Sequence, residues 1–339
     1  MNKIRIGTRG SKLALRQASL VQEAILQVDS RIETEIVVVH TKGDKIQDKP
    51  LNEIGDKGVF ASELEQALLD GQIDLAVHSA KDLPMALADG LNIMAVLPRG
   101  DVRDVLVIPK GGRMPLPAKN VLENEPSVKG IEAAEAVNDL GRRFVIGSGS
   151  RRRQQLAVQM WENVVCENIR GNVDTRLRKL NEGGGDGITY DGIILAKAGL
   201  DRLGIDPEQE EGFTFYPLLP EQFLPAACQG IIAVEALEGS NVTGLCRRIT
   251  DEETELCFLV ERKVLAWLAA DCSEAAAAWC RREEDGLALD VMYAGRRVRL
   301  VCAADSYIDK KEENRAEHLR AGLEMARKAA GLVKEKDRS

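Results

Sequence analysis

A short apolar run, a turn of glycine, serine and arginine, and an amphipathic stretch follow one another twice in this chain, and that repetition limits the fold more than any other feature. The first copy is IRIGTRGS, from Ile4 to Ser11, and the second is FVIGSGSR, from Phe144 to Arg151. A further echo, DLAVHSAKDL from Asp74 beside DGIILAKAGL from Asp191, keeps the same order. Strands that alternate with helical patterns build β-α-β units, so two similar open α/β domains are expected.

The elements follow from periodicity. Ile4 to Gly7 reads as a strand, Lys12 to Val28 as a helix and Ile36 to Val39 as a strand. Phe60, Leu64, Ala67 and Leu68 share one face of a helix that Gly71 stops, and Ile73 to Val77 is the next strand. The second half repeats the order, with strands at Phe144 to Gly147, Val164 to Ile169 and Asp191 to Ala196, and helices at Ser150 to Met160 and Asn172 to Asn181. Between the halves, Pro109 to Arg143 is rich in proline, glycine and charge and reads as a surface excursion. After Asp251 come a helix from Thr254 to Leu268, a loop from Asp271 to Cys280, two strands around Gly295 and a long charged helix from His318 to Lys336. The expected division is residues 1-102 with 224-245 as domain 1, 103-223 as domain 2 and 246-339 as a small domain 3, the chain returning to domain 1 near Pro225.

Composition removes several function classes. With 339 residues and 44% hydrophobic content the chain can bury more than one core. A net charge of -8 repels polyanions, so nucleic acid is not an expected partner. The start, MNKIRIGTRG, has no apolar leader, and no run approaches the ~18 apolar residues of a membrane span, so a cytoplasmic protein is expected. Seven scattered cysteines without a C-x-x-C pair, and three histidines, suggest no metal site and mostly reduced, structural thiols.

Against this acidic background, arginines gather at the strand-to-helix turns: Arg9 at the first, Arg151, Arg152 and Arg153 at the second, then Arg170 and Arg176. Ser11 and Ser150 occupy N-cap positions, where hydroxyls and free N–H groups either cap a helix or also receive an anion. Guanidinium groups grip carboxylates bidentately, so the cluster suits a ligand with many carboxylates, although each arginine alone is an ordinary surface residue. Lys81 and Asp82 follow a strand directly, a position that is either a strand-end ion pair or part of a cleft mouth.

Taken together, IGTRGSKLALRQA, GDKGVFASELEQALLDGQIDLAVHSAKDLP, RGNVDTRL, DGIILAKAGLDRLG and LPAACQGIIAVE, in that order, resemble the porphobilinogen deaminase (hydroxymethylbilane synthase) family. ERKVLAWLAADC extends the resemblance into the helix that leads to the family's cofactor-bearing cysteine. The resemblance implies two periplasmic-binding-protein-like (type II) α/β domains around a cleft, plus a small C-terminal α/β domain with a short antiparallel sheet. It implies a transferase that condenses four porphobilinogen molecules head to tail, releasing ammonia, into hydroxymethylbilane, grown on a covalent dipyrromethane cofactor.

Carried over position by position, the resemblance makes Cys272 the thioether attachment point and Asp82 the catalytic carboxylate that stabilises positive pyrrole nitrogens. Ser79, Lys81, Asp82, Ser148, Ser150, Arg152 and Arg153 match cofactor-binding positions, and Arg9, Ser11, Gln17, Arg170, Arg176 and Arg202 match carboxylate-binding ones. Lys57 and Phe60 fall in the family's mobile segment over the entrance. A monomer that hands its product to uroporphyrinogen-III synthase is also implied.

The cysteine loop departs from the family's usual Gly-Gly-Cys-Gln-Val-Pro-Ile-Gly, reading Ala270-Asp271-Cys272-Ser273-Glu274-Ala275 here. Asp271 beside the thiol disfavours its thiolate. This departure keeps a second reading open, a non-catalytic anion- or pyrrole-binding protein on the same scaffold that has lost cofactor attachment. Cys228, near the return to domain 1, is a second thiol to weigh, with a buried structural role as the plainer reading.

Overall fold

The computed structural model describes residues 3–40, 62–112, 143–184, 187–207, 210–270, 274–284, 286–303 and 315–334. Lys57, Phe60, Cys272 and most of the excursion after Pro109 lie outside the described residues.

In chain order the strands are β1 (Lys3–Thr8), β2 (Glu33–Val38), β3 (Leu75–Ser79), β4 (Leu91–Val96), β5 (Asp104–Pro109), β6 (Phe144–Gly147), β7 (Val164–Glu167), β8 (Gly192–Ala196), β9 (Phe213–Pro217), β10 (Ile232–Leu237), β11 (Ala276–Glu283), β12 (Gly286–Tyr293) and β13 (Arg296–Ala303). The helices are α1 (Lys12–Val28), α2 (Ser62–Leu69), α3 (Arg151–Met160), α4 (Val173–Glu182), α5 (Lys197–Arg202), α6 (Thr243–Ile249), α7 (Glu252–Leu268) and α8 (Arg315–Lys334).

The chain forms two compact units, one made of Met1–Gly100, Ala226–Asp271 and Ala278–Ser339, the other of Asp101–Pro225 and Cys272–Ala277. The first holds a five-stranded sheet of order β2-β1-β3-β10-β4, and the second one of order β7-β6-β8-β5-β9. The two orders are one topology. In each sheet the first three strands run parallel and the fourth antiparallel to its neighbours. That fourth strand, β10 or β5, is the first strand laid down after the chain enters the unit. The repeated sequence pattern predicts the two similar α/β units, and this reciprocal exchange is the type II periplasmic-binding-protein-like arrangement that the family resemblance implies.

Each sheet buries an apolar face under its helices. Ile4, Ile6, Leu75, Val77 and Val234 pack against Ala18, Val21 and Ile25 of α1 and Leu245, Cys246 and Ile249 of α6. In the second unit Val105, Val107, Ile193 and Leu195 pack against Leu177, Leu180 and Leu200. Ser11 caps α1 by accepting from Ala14 N–H at 3.2 Å, and Ser150 caps α3 by accepting from Arg153 N–H.

A third sheet, β11-β12-β13, lies near the C-terminus. Its first strand corrects the expectation of a loop from Asp271 to Cys280: the described part becomes extended at Ala276. Alanine is a poor strand former, so the run carries no periodic signal. It is extended because Ala277, Ala278 and Cys280 fill buried positions and Cys280 N–H donates to the buried Glu261 at 2.7 Å.

Candidate active site

In the first unit the turn that carries Lys81 and Asp82 grows out of β3. Ala80 N–H donates to the Ile231 carbonyl at 3.0 Å as the strand tightens into a single 3-10 turn, Ala80–Asp82. Ala80 and Leu83 are both buried. Anchoring those two positions turns the residues between them outward, so Asp82 is exposed and Lys81 half-buried. Lys81 Nζ lies 3.5 Å from Gln229 Oε1, a buried residue of the segment that re-enters this unit.

The neighbouring turn between β1 and α1 supplies Arg9, half-buried, and Ser11. Gln17, one helical turn and a half further on, is buried and donates through Nε2 to Ser79 Oγ at 2.9 Å. The structure thus joins the β1 and β3 turns through side chains, which brings Ser11, Gln17, Ser79, Lys81 and Asp82 to one end of the sheet. Directly behind, His78 Nε2 and Glu235 Oε2 are 2.9 Å apart and buried.

The second unit repeats the arrangement with more charge. Ser148 is buried and accepts from Ser150 N–H, while Gln154 Nε2 donates to the Ser148 carbonyl at 2.7 Å. Arg152 and Arg153 both reach Asp104, the first residue of β5, at 2.8 and 2.7 Å. Arg152 also donates to the Leu224 carbonyl and Arg153 to the Ile194 carbonyl. Burial would raise the Asp104 carboxyl, but the two guanidiniums overcome it and hold the group at about 2. Burial, followed by the charge of Arg153, lowers Arg152 in spite of Asp104.

Arg170 precedes Gly171, whose φ of +110° disfavours a side chain and where an added Cβ would come within 2.6 Å of the Thr175 side chain. Arg176 Nε donates to the Gly171 carbonyl at 2.8 Å. Arg202, at the end of α5, is lowered to about 10 by burial, with Asp201 opposing the shift. Asp104 and Gln229 were not singled out from sequence. The one signal for Asp104 is an acidic residue opening the apolar strand DVLVIP.

A family model described as "Porphobilinogen deaminase, dipyromethane cofactor binding domain" matches residues 4–243. Among curated relatives, the porphobilinogen deaminase of Acetivibrio thermocellus is 38% identical over 298 residues, covering 88% of this chain and 90% of the relative. That of Nitrobacter hamburgensis is 35% identical over 337 residues, covering 98% and 94%. A probable porphobilinogen deaminase of Archaeoglobus fulgidus is 36% identical, covering 91% and 89%.

This chain belongs to the porphobilinogen deaminase family.

The residues present fit the dipyrromethane cofactor of porphobilinogen deaminases, whose rings carry acetate and propionate groups. In the second unit Arg152 and Arg153 share the single carboxylate of Asp104, and Arg152 Nε is buried without a hydrogen-bond partner. Arg202 has its charged form disfavoured by burial. A carboxylate-bearing ligand would relieve both conditions. The non-catalytic alternative gains no support from these relatives, which carry the enzyme's name across nearly the full chain.

Proposed function

We propose that this chain is a hydroxymethylbilane synthase, which joins four porphobilinogen molecules head to tail with release of ammonia. The observation that carries the reading is the membership of the family together with an exposed Asp82 in a turn anchored by the buried Ala80 and Leu83.

Bound dipyrromethane, attached through Cys272, supplies the pyrrole carbon onto which the chain grows. The chain's own residues do the rest. Asp82 places a carboxylate against the pyrrole nitrogen of the substrate, stabilising the positive charge that develops there as ammonia leaves, and holds the proton released when the pyrrole regains aromaticity. Lys81, Ser79, Ser148, Ser150, Arg152 and Arg153 hold cofactor carboxylates. Arg9, Ser11, Gln17, Arg170, Arg176 and Arg202 hold those of the incoming pyrroles, each guanidinium offering a planar pair of donors. Arg152 and Arg153 are themselves fixed by Asp104, so they hold those carboxylates from a rigid, positively charged base. The same reading carries a cytoplasmic monomer that passes its product to uroporphyrinogen-III synthase.

The test is intact-protein mass combined with turnover of porphobilinogen. A purified protein heavier than its polypeptide by a dipyrromethane, consuming porphobilinogen and yielding hydroxymethylbilane, is the expected result. A protein at bare mass that stays unmodified after incubation with porphobilinogen would overturn the reading.

A further inference from the structure

Consecutive residues of α7 fasten two different parts of the first unit. Glu261 is wholly buried and accepts from Arg99, Cys228 N–H and Cys280 N–H. Arg262 points the other way. Its Nη2 donates to the carbonyls of Pro84 at 2.7 Å and Met85 at 3.0 Å, and its guanidinium lies over the Phe258 ring, 5.7 Å from the centroid. Pro84 and Met85 are the second and third residues beyond Asp82.

The Asp82 turn is held upstream by the bond from Ala80 to Ile231 and by the burial of Ala80 and Leu83. Downstream of Leu83 the chain enters a stretch without strand or helix until β4. Proline has no N–H to give, so at Pro84 the chain is held through its carbonyl, and a guanidinium that meets this carbonyl and the next is a rigid clamp. Because Glu261 pins the adjacent α7 position, movement of Arg262 away from the turn is opposed by the buried ion pair next to it.

We infer that Arg262 is a positioning residue for Asp82, setting the height and direction of its carboxylate from the helix whose sequence continues into Cys272. The inference rests on the proposed role of Asp82. Arg262 reaches backbone carbonyls of the turn and acts through them, so its loss is expected in the chemical step rather than in substrate affinity.

The experiment compares holoenzymes carrying Arg262→Gln, Arg262→Lys, Asp82→Asn and the Asp82→Asn/Arg262→Gln pair, each checked for the dipyrromethane mass. For Arg262→Gln the expected result is a full adduct, KM within about threefold and kcat reduced on the order of 10- to 100-fold, the scale of a misplaced catalytic group. Arg262→Lys keeps the charge and a donor but loses the planar fork, so it falls between, about 3- to 10-fold down in kcat. The paired variant is expected to be no slower than Asp82→Asn alone, because a displaced carboxylate that is already absent costs nothing more. A kcat for Arg262→Lys equal to that of the unsubstituted enzyme, a paired variant whose losses multiply, or a decline that tracks missing adduct or unfolded protein would overturn the inference. Near-normal turnover in Asp82→Asn would instead bring down the role of Asp82 itself. Should Arg262→Gln fail to fold, the kcat and KM of Arg262→Lys carry the same decision.

Discussion

Arg99 and Glu261 meet inside the first unit with two guanidinium nitrogens on one carboxylate, Nη1 to Oε1 at 2.7 Å and Nη2 to Oε2 at 3.2 Å, although they are 162 positions apart in the chain. Burial would lower the Arg99 guanidinium, but the Glu261 charge more than reverses it. The same guanidinium donates to the carbonyls of Gln229 and Cys280. Glu261 is also the acceptor for Cys228 N–H and Cys280 N–H. One pair therefore joins the end of the first pass through the unit, the re-entry segment, α7 and β11.

Removing one partner leaves the other charge buried, which typically costs about 3–5 kcal/mol. Glu261→Gln is expected to lower the urea midpoint accordingly, with an unchanged slope. The apolar pair Arg99→Met/Glu261→Leu is not expected to restore stability. Its two orphaned backbone N–H groups would cost about 1–3 kcal/mol each. A double variant as stable as the unsubstituted protein would show that the hydrogen bonds donated by these two backbone N–H groups contribute little.

Asp104 gives the second unit an acid limit. Its carboxyl falls from the ordinary 3.8 to about 2 in the folded protein because Arg152 and Arg153 outweigh burial. A group with a depressed folded pKa contributes stability above its unfolded value and loses it as pH falls through the folded one, so the sensitive window runs from about 4 down to about 2. The contribution is about 2 kcal/mol at neutral pH. Asp104→Asn should be less stable at pH 7 and should lose less additional stability across that acid window. Parallel stability–pH curves for the two proteins would contradict the assignment.

Asp82 is exposed, and its substitution changes no buried contact. Asp82→Asn should leave the melting temperature and the adduct mass unchanged, within the roughly 0.5 kcal/mol typical of surface positions. Turnover should fall on the order of a hundredfold or more. Retention of near-normal turnover would remove the carboxylate from the mechanism.

The sequence made the repeated architecture legible because strand and helix periods repeat in register with glycine turns. The helix from Lys12 to Val28 and the strand from Phe144 to Gly147 coincide with the observed elements. The exchange strands β5 and β10 carry no such signal, since a short strand with five of its six residues buried has no alternation to betray it. Within the site, the turn residues were legible because they follow the strand ends directly. Their partners were not: Asp104 is 49 positions from Arg153 and Gln229 is 148 from Lys81, and local pattern carries no information about such pairs. Arg262 carries no signal of its own, because it sits among α7 residues that read as an ordinary helix.

Cys228 and Cys272 are the two thiols that the attachment question sets against each other. Cys228 is buried, its Sγ lies 3.9 Å from the Phe258 carbonyl, and burial, then the charge of Glu261, pushes its thiol well above the usual range. Arg99 and Arg262 pull the other way and do not prevail. Its backbone sits at φ +61°, in the left-handed region, which fixes it further as a structural position. A thiol that neither ionises nor meets solvent is a poor nucleophile toward a pyrrole. Cys228→Ser is therefore expected to retain the dipyrromethane mass, at some cost in stability from a buried hydroxyl. Cys272→Ser is expected to stay at polypeptide mass after incubation with porphobilinogen and to lack turnover. The reverse pattern, an adduct on Cys272→Ser that vanishes in Cys228→Ser, would move the attachment to the re-entry segment and with it the direction from which the growing chain meets Asp82.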